Sequence, residues 1–211
     1  ERDDEEDKNG KKTIRVCTSP FYEKKIDKET KQTEETFEQQ ETILETQPTM
    51  SVEEEFYAAI NSISATNTYE WYLNYRIITN QYKQALPHLC QSIYDVFSAP
   101  ELDLLFHVVQ AEIGDEWTFE NKVNVASVIF NRVDDSRFEP TLGGVLNPSQ
   151  FSSISDGRYM QVSVSDITIL ACEYAYLFRS NQCLFFDSNG VLATSYKWVF
   201  NDNAHNFYTC Y

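Results

Sequence analysis

Three apolar stripes at helical spacing constrain the C-terminal half of this 211-residue chain more than any other feature. The first opens at Ser98-Ala99-Pro100-Glu101, with Ser at the N-cap, Pro in the first turn and Glu where its side chain returns to the cap. Leu102, Leu105, Phe106, Val109 and Ile113 follow on one face, and Gly114 is expected to stop the helix. The second stripe, about Thr118 to Val133, turns Val123, Ala126, Ile129, Phe130 and Val133 inward. The third, about Ser165 to Phe178, carries Ile167, Leu170, Ala171, Tyr174 and Leu177. Residues 134–160 between them hold Pro140, Gly143, Gly144, Pro148 and Gly157 and read as loop. Leu184-Phe185-Phe186 and Asn206-Phe207-Tyr208 read as two short strands. The fold class expected is therefore α+β, mostly α, with a small β element.

Upstream the texture differs. Residues 1–50 are rich in Glu, Lys, Thr and Gln and poor in large apolar side chains. Such a segment buries too little to offset the entropy of ordering, so an acidic disordered linker is expected there. Ser51-Val52-Glu53-Glu54 has the form of a capping box ahead of Phe56, Ala59 and Ile60. A Tyr-rich helix from Tyr69 to Leu86, ended by Pro87, and a shorter one over His88–Phe97 complete a helical segment at 51–98. It is either a subdomain or an extension packed against the C-terminal half. The catalytic unit is expected at 99–211. The chain opens without Met or a leader pattern, so the expectation is a removed segment ahead of Glu1 that left attachment to membrane or wall open. Oligomeric state is not legible.

Charge removes whole classes of partner. The formal net charge is -16, and the acidity is not confined to the linker: residues 1–50 carry 14 acidic and 9 basic side chains, the remainder 19 and 8. The net charge argues against nucleic acid, which needs clustered Lys and Arg, and against attraction to anionic lipid, whereas an uncharged polymer is compatible. Cys17, Cys90, Cys172, Cys183 and Cys210 form no CxxC and no zinc spacing, and His88, His107 and His205 are scattered, so no metal and no cofactor is expected. Cys183 and Cys210 flank the β-like runs and are a candidate pair in an oxidising compartment. Cys172 lies in an apolar stripe and reads as a buried small hydrophobe.

Chemistry points to Glu112. It sits in the last turn of the first C-terminal helix, where the negative end of the helix dipole disfavours a carboxylate. Glu116, four residues on, adds like charge. A carboxyl kept protonated is what general-acid cleavage of a glycosidic bond requires. Spacing alone favours the reading of two solvated helix-end glutamates. The surrounding words are more specific: Ala111-Glu112-Ile113-Gly114-Asp115-Glu116, then Val123 to Val133 ending in Asn131-Arg132-Val133, then Phe138-Glu139-Pro140-Thr141, Gly144-Val145-Leu146, Gln150-Phe151-Ser152, Asp156-Gly157 and His205-Asn206-Phe207-Tyr208. In this order they resemble the spore-cortex-lytic type of cell wall hydrolase, over about residues 101–208.

That resemblance implies a lysozyme-like fold acting on peptidoglycan glycan strands outside the cytoplasm. It places the catalytic glutamate at Glu112 and a supporting carboxylate at Glu116. It also assigns Gln150, Phe151 and Ser152 to the cleft, and His205, Phe207 and Tyr208 to the terminal word. Trp117, beside the glutamates, is the aromatic expected to touch sugar. Asn131 and Arg132 are expected to fix loops. Asp115 and Asn121 depart from the family's usual Gly at those places. Asp156 and Asp187 are the candidates for a second carboxylate, but neither stands in a catalytic word. A single strong acid favours lytic transglycosylase chemistry, which makes a 1,6-anhydromuramic end. The alternatives are a muramidase, an amidase, and a domain that binds or scaffolds peptidoglycan without cutting it.

Overall fold

Capping residues set most helix boundaries. The computed structural model describes residues 50–211; the linker expected at the N-terminus, together with Cys17, lies outside the described residues apart from Met50. Ser51 caps α1 (Val52–Asn61), with Glu54 accepting from the Ser51 N–H at 2.8 Å. Asn67 caps α2 (Thr68–Tyr82), whose end falls short of Leu86. The helix expected over His88–Phe97 is instead a set of turns with a 3-10 turn at Ile93–Asp95. The reason is packing. Cys90 belongs to a small cluster with Phe56 and Leu86, whereas Ile93 belongs to the main core, so the segment crosses between two cores and has no continuous stripe to bury.

Ser98 caps α3 (Ala99–Glu112), and Glu101 accepts from its N–H at 2.9 Å. Thr118 caps α4 (Phe119–Asp134). Two single-turn helices, α5 (Leu142–Val145) and α6 (Ser152–Ser155), interrupt the stretch read as loop. Ser165 caps α7 (Asp166–Leu177). α3, α4 and α7 thus lie within a residue or two of the expected bounds, but Gly114 does not form the stop itself. The helix ends because Ile113, buried at 1 %, turns to extended backbone at φ −140° and ψ 101°.

The tail forms three antiparallel strands rather than two: β1 (Phe185–Asp187), β2 (Lys197–Asn201) and β3 (Asn206–Thr209), in the order β1-β3-β2. Phe186 pairs with Phe207 on one side, and Phe200 with Phe207 on the other, past an irregularity between Trp198 and Phe200. β2 escapes sequence reading because it is exposed along nearly its whole length. Trp198 and Val199 stay exposed, so its burial does not alternate.

α4 and α7 pack along each other at the centre. α4 is buried nearly all round, including Val125 and Val128 as well as the expected stripe. Its remaining polar side chains receive loops: Asn131 donates to the carbonyls of Asn181 and Cys183 at 3.0 and 2.9 Å, and Asn124 donates to Asp202 at 2.9 Å. The segment before α3 is joined to this core. Tyr72 and Ile93 lie within it, and the Glu173 carboxylate of α7 accepts from Tyr94 Oη at 2.8 Å and pairs with Arg76 at 3.0 Å. Cys90, Cys172, Cys183 and Cys210 are all free thiols, so the candidate pair Cys183–Cys210 is not formed; Cys172 is buried as expected. Among the described residues no helix is long and apolar enough to cross a membrane.

Candidate active site

Glu112 is the last residue of α3, and the corner that presents it is clasped by one buried lysine. Lys122 enters from the first turn of α4 and donates to the carbonyls of Ile113 at 2.9 Å and Gly114 at 3.0 Å. These carbonyls follow the helix end and have no intrahelical partner. The same ammonium meets Asp115 Oδ1 at 3.3 Å. Burial lowers the Lys122 pKa, and Asp115 opposes that shift. Asp115 Oδ1 also accepts from Ser165 Oγ at 2.8 Å and Gln110 Nε2 at 3.1 Å, and these bonds hold its carboxyl below the usual range. Gln110 Oε1 in turn accepts from Thr168 Oγ1 at 2.6 Å and the Ser165 N–H at 3.1 Å. One polar knot therefore ties the end of α3, the start of α4 and the cap of α7. Asp115, which departs from the family pattern, is a structural partner of Lys122 within it.

Beyond this corner lies a cleft of about 270 Å³ lined by Glu112, Arg132, Gln150, Phe151, Ser152, Phe186, Asp187, Ser188, Asn189 and His205. Glu112 is half-buried there, and its Oε1 accepts from the Ser153 N–H at 3.3 Å, where α6 begins. Arg132, 4 % exposed, donates from Nε to the Leu184 carbonyl at 2.6 Å. Its guanidinium stands 5.2 to 5.4 Å from the rings of Phe138, Phe151 and Phe185. Burial pulls its pKa down to about 10, opposed by Tyr196 and Glu112, so it stays a cation near neutral pH. His205 packs edge-on against Phe186 at 5.0 Å. Burial lowers its pKa below the ordinary histidine value, against the pull of Asp202, Glu112 and Asp187. At the rim Arg158 donates to Ser152 Oγ at 3.2 Å and pairs with Asp156 at 2.8 Å.

Asp187 lines the same cleft, but both its oxygens are engaged. Oδ1 accepts from the Gly190 N–H at 2.9 Å and from Tyr208 Oη at 3.1 Å, and Oδ2 accepts from the Leu192 N–H at 2.7 Å. Among the described residues it is the only other carboxylate lining the cleft.

The structure sorts the residues expected at the site into two sets. Glu112, Gln150, Phe151, Ser152 and His205 come together around one cleft. Glu116, Trp117, Phe207 and Tyr208 are not part of its lining. Glu116 is exposed and folds back over Gly114: a Cβ there would stand 2.2 Å from its Oε2. Trp117 is 37 % exposed at the turn before α4. Phe207 and Tyr208 are fully buried, so neither can touch a ligand; Phe207 stacks on Phe200 at 4.6 Å, and Tyr208 holds Asp187. Asp156 is taken by Arg158.

Sequence reading missed Lys122 and Gln110, which hold the corner, and Phe186, Ser188 and Asn189, which line the cleft. Lys122 had a signal: it is in helical register with Val125, Ala126 and Ile129, a cation on a face otherwise turned to the core. Among the described residues no group of three His, Cys, Asp or Glu side chains gathers as a metal site.

Residues 117–209 match the family model described as Cell Wall Hydrolase. The match takes in Arg132, the Gln150-Phe151-Ser152 word and His205, and begins after Glu112 and Glu116. Among curated proteins none has a sequence that matches this chain. Two solved structures are similar. One is the catalytic domain of the germination-specific lytic transglycosylase SleB from Bacillus anthracis, at 19% identity and TM-score 0.49, covering 56% of this chain and 100% of that one. The other is the catalytic domain of the Bacillus cereus SleB protein, at 21% identity and TM-score 0.48, covering 54% and 92%.

Proposed function

With residues 117–209 a domain of the cell wall hydrolase family, we propose that this protein cleaves the bond between N-acetylmuramic acid and N-acetylglucosamine in peptidoglycan, with Glu112 as the catalytic acid and base. The observation that carries this reading is that Glu112 shares its cleft with one other carboxylate, Asp187, whose oxygens are already held by two backbone N–H groups and a tyrosine hydroxyl. A hydrolase that retains or inverts configuration uses two working carboxyl groups across the sugar. A lytic transglycosylase needs one.

In that route the protonated Glu112 gives its proton to the bridging oxygen as the bond from C1 breaks. The resulting carboxylate then removes the proton of the muramic C6 hydroxyl as that oxygen bonds to C1. No water is consumed, and the products are a 1,6-anhydromuramic end and a free 4-hydroxyl. The Ser153 N–H and the nearby cationic Arg132 suit the carboxylate phase. Gln150, Ser152, Ser188 and Asn189 supply polar groups for the strand. Phe207, Tyr208 and Glu116 support the wall and the corner rather than the sugar.

In this reading residues 99–211 are the catalytic domain, 51–98 a helical extension fastened to it, and 1–50 a spacer that lets the domain act outside the cytoplasm. Mass spectrometry of digested peptidoglycan is the test. Anhydro-muropeptides are expected; reducing muramic ends mean a muramidase, and freed peptides mean an amidase. No release, with the polymer still bound, means a binding domain and overturns the enzymatic reading.

A further inference from the structure

Glu112 is fixed from two sides: by α3, whose last residue it is, and by α6, whose Ser153 N–H reaches its Oε1 at 3.3 Å. The acid keeps its place only while the end of α3 and the start of α6 keep theirs. α6 is a single turn of four residues, too short to hold its shape unaided in water. Phe151 and Ser153 anchor it on the buried side. Across the rim a guanidinium joins the two elements.

That group belongs to Arg158. Gly157 takes the left-handed conformation at φ +78°, which lets the chain reverse after α6. Asp156 then grips the arginine: its Oδ1 accepts from the Arg158 backbone N–H at 3.0 Å, and its Oδ2 from Arg158 Nε at 2.8 Å. The two remaining arms of the fork go to different elements. Nη2 donates to Ser152 Oγ at 3.2 Å, at the start of α6. Nη1 donates to the Ala111 carbonyl at 3.4 Å, on the residue before Glu112. That carbonyl is among the last four of α3, which have no partner within the helix. Asp156 holds the Arg158 pKa above its ordinary value, and the nearby Glu112 adds to that pull.

We infer that Arg158 is a positioning residue for Glu112, a planar clamp that sets the acid against the Ser153 N–H by tying Ala111 to Ser152. The inference rests on the reading of Glu112 as the catalytic acid. Asp156, a candidate second carboxylate from sequence, orients the clamp instead of joining the chemistry. A lysine keeps the charge but not the fork, so it cannot meet all three partners at once.

Arg158→Ala and Arg158→Lys in the full chain test this. Turnover of peptidoglycan is expected to fall about ten-fold or more in both, as for a slightly misplaced catalytic group. The half-saturating peptidoglycan concentration should stay unchanged. The urea midpoint should barely move, because a half-exposed ion pair contributes little. Guanidinium, added far below denaturing concentration, should restore turnover in Arg158→Ala and not in Arg158→Lys, whose amine occupies the place. Amide hydrogen exchange reads the clamp without any turnover: Ser153 should exchange faster in Arg158→Ala, while amides at the centre of α4 keep their protection. Normal turnover in both variants, a loss that guanidinium does not restore, or unchanged Ser153 exchange overturns the proposal. Faster Ser153 exchange with no cleavage of peptidoglycan by the unaltered chain sinks the catalytic reading and leaves the clamp on Glu112 standing.

Discussion

Glu112 owes its place to being the last helical residue of α3, half-buried between the Ser153 N–H and a buried cation. Replacing it with Gln keeps the size and removes the proton. The expected loss is about 10²–10⁴ in rate of peptidoglycan solubilisation, with binding retained; a near-normal rate would remove Glu112 from its role. His205 sets a stability limit on the acid side. Its pKa is lowered in the folded chain, chiefly by burial. The unfolded chain therefore takes up the proton first as pH falls. The His205 contribution is fully present above about pH 6.5, the unperturbed histidine value, and is lost as pH drops through the folded pKa. Urea midpoints measured from pH 7.5 to 5 should fall more steeply for the unaltered chain than for His205→Phe. Parallel curves would show that the imidazole does not titrate this way. Glu112 and the Gln150-Phe151-Ser152 word were legible because residue type and order carry them. That Trp117, Phe207 and Tyr208 stay off the cleft was not, since aromatic identity does not say which side of a wall a ring occupies.

At the scale of elements, the corner between α3 and α4 depends on Lys122. Its amine bonds two carbonyls that the end of α3 leaves open. Lys122→Met keeps the stem and leaves the buried Ile113 carbonyl without a donor, while the part-buried Gly114 carbonyl keeps the Trp117 N–H at 3.4 Å. One such group costs about 1–3 kcal/mol, so a loss of that size is expected in denaturant unfolding. The rate should drop as well, because Glu112 precedes the clasped turn. A variant with wild-type stability would show that water replaces the amine. Helix starts were readable from Ser51 and Ser98 because a cap is a local bond between neighbours in sequence. The crossing at His88–Phe97 and the edge strand β2 were not, because each is set by which core its residues meet.

Across the whole molecule, the helical segment ahead of α3 is fastened to the main core by Tyr72 and Ile93 and by one buried carboxylate. Glu173, its side chain 5 % exposed, takes Arg76, Tyr94 and, at 3.4 Å, Tyr72. Arg76→Ala leaves that charge without its cation. A loss of about 3 kcal/mol is expected, the low end for breaking a buried pair, since Arg76 is partly exposed. The check is a single denaturation curve followed by Tyr fluorescence. Two transitions in the unaltered chain would mean that 51–98 unfolds on its own. The sequence by itself determined the mostly helical class, the first caps and the glutamate at the end of α3, because each rests on the spacing of a few residues. Tertiary structure alone decided that Arg132 and His205, distant in the chain, face one cleft with Glu112, and that Asp187 is held by its own loop. These are matters of long-range packing, in which the partner of a side chain is chosen by the core it closes.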